Sequence, residues 1–147
     1  MSQAQNVFFD KDGSAWVQDY YCYVASAGTL AFGASVTVTL NVEADSNFIL
    51  TKMAYACDLI GAVQTDSTRV IPLINVSIVD SGSGRNLQNL PVPIGVLGGH
   101  DGLPFVLPVA REFKPSSSIA VTFANYSAAT NYNNIKLMLF GYKKFRY

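Results

Sequence analysis

Residues 70–80 read VIPLINVSIVD. Val70, Pro72, Ile74, Val76 and Ile78 alternate with Ile71, Leu73, Asn75, Ser77 and Val79, the two-residue period of a β-strand with one wholly apolar face and one mixed face. Such a strand belongs in the middle of a sheet. It runs into SGSGRN at 81–86, where Gly82 and Gly84 are free to take positive φ in a reversal. The segment that follows, as far as 108, carries Pro91, Pro93, Pro104 and Pro108. Proline donates nothing to a β-ladder, so these positions belong on edges and corners. A deep strand feeds a long, stiff, irregular excursion.

Other stretches share the period. Residues 35–43, SVTVTLNVE, set Val36, Val38, Leu40 and Val42 against Ser35, Thr37, Thr39, Asn41 and Glu43, a half-buried antiparallel pattern. Ala44–Asn47 turns, and Phe48–Cys57 returns with Ile49, Thr51, Met53, Tyr55 and Cys57 on one face, so a hairpin is predicted. Tyr20–Val24 is an aromatic and β-branched first strand. After a Lys-Pro-Ser turn at 114–118, Ile119, Val121 and Phe123 share a face. The last strand, Ile135–Tyr142, sets Ile135, Leu137 and Leu139 opposite Lys136, Met138, Phe140 and Tyr142. Residues 58–69 hold no steady period and read as a loop, the one place for a helical turn.

Seven or eight short strands with almost no helix predict an all-β fold, a single antiparallel β-sandwich over residues 20–147. A jelly-roll-like topology is favoured over an immunoglobulin-like one because the Pro-rich excursion suits long crossing connections. Residues 1–19 form a partly irregular N-terminal arm in this reading. The predicted core is Val36, Val38, Leu40, Val42, Ile74, Val76, Ile78, Ile119, Val121, Phe123, Ile135, Leu137 and Leu139.

A chain of 147 residues fits one domain and buries roughly two-thirds of its unfolded surface. Half of it is hydrophobic and only 14% is charged, against about 25% in ordinary soluble domains; part of the surface therefore faces another protein. Ten basic and ten acidic residues cancel, which argues against a nucleic-acid partner. Lys143, Lys144 and Arg146 cluster at the tail, as a solvated or partner-facing terminus does. No apolar run reaches the roughly 18 residues that span a bilayer, so no membrane partner is predicted. The opening MSQAQNVFFDKDG has neither part of a signal peptide, hence synthesis in the cytosol and reduced thiols at Cys22 and Cys57.

No catalytic pattern emerges, and the chain is predicted not to be an enzyme. His100 stands alone in GGHDG at 98–102 with no nucleophile motif to serve. One histidine and two separated cysteines make no zinc set, and no metal or cofactor is predicted. The DKDGS at 10–14 lacks the third acidic ligand and the closing Glu of a calcium loop and reads as a turn. SGSGR lacks the Lys-Ser/Thr of a phosphate loop. The aromatics say more. Phe8, Phe9 and Trp16 in the arm, with Met138, Phe140 and Tyr142 on the second face of the last strand, are candidate interface residues. The Asn-rich loop at 125–134 offers an alternative, with Tyr126 and Tyr132 as glycan contacts.

A D-x-x-F turn at Asp45–Phe48, the stretch Gln64–Arg69, an I-x-D-x-G-S-G-R reversal at Ile78–Arg85, an LP-F-x-LP segment at Leu103–Pro108 and a closing G-Y-K strand at Gly141–Lys143 together resemble a small β-rich virion protein of tailed bacteriophages, over roughly residues 35–145. The resemblance implies a capsid decoration or cement protein, or alternatively a neck or tail accessory protein. It implies a homo-oligomer, a trimer by preference, in contact with the major capsid protein or with neck and tail proteins. The protein would be made in the host cytoplasm and end in the virion.

Overall fold

The computed structural model describes residues 7–60, 70–97, 99–100 and 103–146. Its strands are β1 (Val7–Phe9), β2 (Ala15–Leu30), β3 (Ser35–Asn41), β4 (Asn47–Leu59), β5 (Ile74–Asp80), β6 (Arg85–Asn86), β7 (Val92–Pro93), β8 (Gly99–His100), β9 (Leu103–Phe113), β10 (Ser118–Asn125) and β11 (Tyr132–Arg146), with one helical turn, α1 (Ile94–Leu97). They form two antiparallel sheets. One runs β1-β2-β11-β4-β9-β8, the other β3-β10-β5-β6, with β7 also on β5.

The pairing order fixes the topology. Of the eight strands β2, β3, β4, β5, β6, β9, β10 and β11, the first pairs with the last, the second with the seventh, the third with the sixth and the fourth with the fifth. A ribbon folded in half and then rolled gives that nesting, which is the jelly roll. The all-β sandwich and its jelly-roll form are thus as the sequence predicts.

Several details differ from the sequence reading, among them the helical turn at Ile94–Leu97, outside the 58–69 stretch read as the one place for it. The segments at 35–43 and 48–57 are not a hairpin: β3 pairs with β10 in one sheet and β4 with β11 and β9 in the other, because the roll satisfies them with distant partners. The central strand starts at Ile74 rather than Val70, since Pro72 has no N–H to give and the Leu73 amide goes to the Tyr132 hydroxyl at 3.1 Å. The first strand starts at Ala15, not Tyr20, and β1 closes on it with Phe8 opposite Trp16. The DKDGS turn links them, with Gly13 at φ 86° and the Ser14 amide on the Asp12 carboxylate.

The core lies between the sheets. Ile74, Val76, Ile78, Ile119, Val121, Phe123, Ile135, Leu137 and Leu139 are all fully buried, and Val42 nearly so; each such side chain contributes about 1.5–3 kcal/mol. Val36, Val38 and Leu40 are half-buried against the same cluster because β3 is a sheet edge. Phe48 and Leu50 point inward from β4, but so do Met53, Tyr55 and Cys57, so the two sets have opposite parity. A β-bulge at Thr51 makes the switch, with Gly141 opposite Leu50 and Phe140 opposite Lys52. Ile49 therefore leaves the face on which the sequence period put it. The bulge drives the β4 backbone against Gly141, where a Cβ would lie 1.8 Å from the Ile49 carbonyl oxygen. That contact, and not a positive φ, requires glycine in the G-Y-K motif.

Two ion pairs staple the layers. Asp80, at the end of β5, takes the Arg111 guanidinium of β9 at 2.9 Å and caps its own turn through the Gly82 amide and the Ser83 hydroxyl. The buried Lys143 of β11 meets Glu43, just past β3, at 2.6 Å, and sits 3.8 Å above the Tyr21 ring. Tyr21, Tyr23, Phe48 and Phe113 run edge to face and then stacked between these pairs, with Arg111 over Phe113. Burial raises the Asp80 carboxyl, but the hydrogen bonds from Arg111, Ser83 and Gly82 outweigh it and hold the group below its ordinary value. Burial lowers the Lys143 ammonium, and the hydrogen bond to Glu43 with the charges of Tyr23 and Tyr21 outweighs that, lifting it above the ordinary lysine value.

Candidate association surface

The six-stranded sheet has an unbroken register between β2 and β11 from Ser26/Lys136 to Trp16/Arg146. Alternation along that ladder sends Trp16, Gln18, Tyr20, Cys22 and Val24 outward beside Arg146, Lys144, Tyr142, Phe140 and Met138. Across β11 the row continues to Ile49 beside Tyr142, Lys52 beside Phe140 and Ala54 beside Met138, and from Lys52 to Val106 on β9. The outer face is therefore largely apolar and aromatic, with Tyr20 73% and Val106 60% exposed.

At its centre is a shallow hollow of about 560 Å³ lined by Tyr20, Lys52, Ala54, Ala56, Met138 and Phe140. The two alanines of β4 stop at Cβ while their neighbours on β11 stand tall, and that difference in reach makes the depression. Lys52 and Lys136 rim it. Toward the free end, Lys144 sits 4.6 Å over the Trp16 ring and 3.8 Å from the Asp10 carboxylate. Cys22 is half-buried on the same face, and desolvation pushes its thiol up.

Five of the six candidate interface residues share this face: Met138, Phe140, Tyr142, Trp16 and, through its pairing with Trp16, Phe8. Phe9 has the opposite parity and stands 74% exposed at the edge. Sequence reading of the last strand missed Tyr20, Val24, Ala54 and Ala56. The alternation of Tyr20, Cys22 and Val24 carried part of that signal.

The loop candidates separate. Tyr132 is a correction: it is buried at 5% exposure, its hydroxyl accepting the Leu73 amide, so it has no ring face to offer a sugar. Tyr126 alone is exposed. The asparagines that suggested ligand binding hold the loop instead. Asn125 is buried, donating to the carbonyls of Leu30 and Thr130 and accepting from Ser127. Asn131 accepts the Phe32 amide, Asn133 the Thr29 hydroxyl, and Asn134, at φ 51°, donates to Asp58. The His100 side chain lies outside the described residues, although its backbone pairs with Leu103. Among the described residues no cluster of His, Cys, Asp and Glu has the makings of a metal site, and no helix is long and apolar enough to cross a membrane.

No protein-family model matches the chain, and no curated protein sequence does. Among solved structures, one of the infectious bursal disease virus Gx strain overlaps 88% of this chain and 33% of its own, at 14% identity and a TM-score of 0.40. The VP2 subviral particle of infectious bursal disease virus overlaps 86% and 37%, at 12% identity and 0.37. An exo-β-1,3-galactanase from Phanerochaete chrysosporium overlaps 87% and 31%, at 16% and 0.32. The chain thus spans about a third of each of these proteins. Overlaps this loose say nothing of function, and the jelly roll rests on the chain's own strand order.

Proposed function

We propose that this protein is a structural subunit of a virion, a jelly-roll module that works by contact with copies of itself or with a capsid shell. One observation carries the reading: the outer face of the six-stranded sheet, which no part of the described chain covers, presents Tyr20, Val24, Met138 and Phe140 around a hollow. Apolar area of that kind left on a subunit marks an association site. The shortage of charge over the whole chain fits the same use. The tailed-phage assignment and the choice of a decoration or cement role come from the motif resemblance. In the fold those motifs serve as the Asp80 turn and the Gly141 contact, which many assemblies would use equally well. A trimer is the symmetry this reading favours.

The test is light scattering on the purified protein, with immunogold mapping of its position on intact particles. An oligomer found on the head supports decoration. A tail position makes it a neck or tail accessory protein, and a stable monomer that never accompanies particles ends the proposal.

A further inference from the structure

A two-sheet sandwich has four edges, and here three are blunted. In the six-stranded sheet β1, three residues long, and β8, two residues long, cover only the ends of β2 and β9; the rest of those two edges is open but broken by Asp19 and by Gly28 at φ 66° on β2, and by Pro104, Pro108, Arg111 and Glu112 on β9. One side of the five-stranded sheet ends in β6 and β7, two residues each. Very short edge strands are a usual defence against unwanted pairing. Among the described residues the fourth edge, β3, has no such defence. It is seven residues long, SVTVTLN, in unbroken register with β10, and it contains no Pro, Lys, bulge or charge.

The direction of its free groups follows from the ladder. The Val42 amide donates to Ser117 and the Asn125 amide to Ala34, so the even positions Val36, Val38 and Leu40 exchange hydrogen bonds with Phe123, Val121 and Ile119. Ser35, Thr37, Thr39 and Asn41 then aim their N–H and C=O groups away from β10, along the open edge. All four are exposed.

We propose that β3 is a second association site, at which two copies of the chain join antiparallel about a two-fold axis through Val38. In that register Thr37 pairs with Thr39 of the other copy and Ser35 with Asn41, so every outward group of the strand finds a partner. A two-fold contact must be antiparallel and self-complementary, and this strand meets both demands. Threonine faces threonine on the solvent side, a favoured cross-strand pair. Val38 meets its own counterpart and Val36 meets Leu40 on the core side, which extends both cores across the joint. With no charge from Ser35 to Val42, nothing repels a second copy. The result is one ten-stranded sheet. This contact is independent of the apolar face of the other sheet.

Amide hydrogen exchange together with sedimentation tests it. On raising the protein concentration, the Thr37, Thr39 and Asn41 amides slow by about tenfold or more as the dimer forms. Thr39→Pro removes a donor that the monomer does not use, at an edge position that tolerates proline. It weakens dimerisation by about tenfold or more and returns Thr37 and Asn41 to fast exchange, while circular dichroism stays β. Should that variant fail to fold, Thr39→Lys sets a lysine opposite Thr37 of the other copy, with the two lysines diagonal to each other across the two-fold axis, and gives the same result. Phe140→Ser leaves the protection at β3 intact, which separates this site from the sheet face. The proposal is overturned if these three amides stay fast while the protein is associated, if both Thr39 variants dimerise like the parent, or if the amides slow only when a different protein is added.

Discussion

The two sheets of this sandwich have similar inner faces and opposite outer ones. Inside, both are lined with Ile, Val, Leu and Phe, because each has the other to cover. Outside, the five-stranded sheet shows Thr37, Thr39, Asn75, Ser77, Val79, Ala120, Thr122 and Ala124, mostly small or polar residues on three adjoining strands. The six-stranded sheet shows Trp16, Tyr20, Val24, Met138, Phe140 and Tyr142. Folding constrains the inner faces. It asks little of the outer ones, so on the proposed reading the contrast between them follows what each meets after folding: water on one side, another protein on the other.

The harshest way to break that contrast is at Gly141, the contact that lets β4 bulge and show Ile49 and then Lys52 outward. A Cβ there meets main chain, which has no rotamer to yield. Gly141→Ala is expected to cost about 3–5 kcal/mol in urea unfolding, with loss of any assembly that depends on the apolar face. A loss under about 1 kcal/mol would mean the bulge is soft and the outer face less firmly set than its register implies.

A smaller effect is expected at the staple that aligns the layers. Asp80→Asn keeps the turn but loses the charge facing Arg111, which is itself partly exposed, so about 1–3 kcal/mol at neutral pH is expected. The pH dependence has a definite sign. Asp80 is held below its ordinary 3.8 in the fold, so its contribution is present above that value and fades as pH falls through the lower folded one. Lys143 is raised above 10.5, and its contribution fades as pH climbs through the raised value. In unfolding curves at several pH values, the Asn variant should lose the acid limb contributed by Asp80 and keep the alkaline one.

These staples mark where sequence reading stopped. The strands at 35–41, 74–80 and 118–125, and the 135–142 stretch of β11, were legible because a period of two is a local property. The partners were not. Lys143 and Glu43 are 100 residues apart, and Arg111 and Asp80 31 apart; neither spacing has any periodic trace. The Thr51 bulge was hidden because the residues around it are apolar in both parities. Tyr132 misled for a related reason: its Asn-rich setting looked like an exposed loop, yet it opens β11 and turns inward. The apolar second face of the last strand was legible, whereas its extension to Tyr20 and Ala54 required the sheet order.

The contrast itself is sharpened by Phe140→Ser. The ring lines the hollow but lies on the far side of the sheet from the core, so stability should change by less than about 1 kcal/mol. If the face is an interface, affinity should fall by about 10–100-fold, as for the central residue of an association site. Glutamate is the poorer choice, because Lys52 stands opposite and would neutralise it. Unaltered assembly by light scattering would leave the apolar face unexplained by association.

The mildest expected effect is the control on the other sheet. Thr122 points outward, and its hydroxyl meets that of Thr37 at 2.9 Å in the open. Thr122→Val keeps the β-branched shape that suits a strand and removes one exposed hydrogen bond, so unfolding should shift by no more than about 0.5 kcal/mol and assembly through the six-stranded sheet should not shift at all. The substitution also adds a methyl group to the polar face. If assembly through the apolar face is driven by its particular residues and their hollow, one added methyl on the opposite side is neutral. If instead the variant associates more tightly, general stickiness of a chain poor in charge accounts for association, and the difference between the two outer faces loses its meaning.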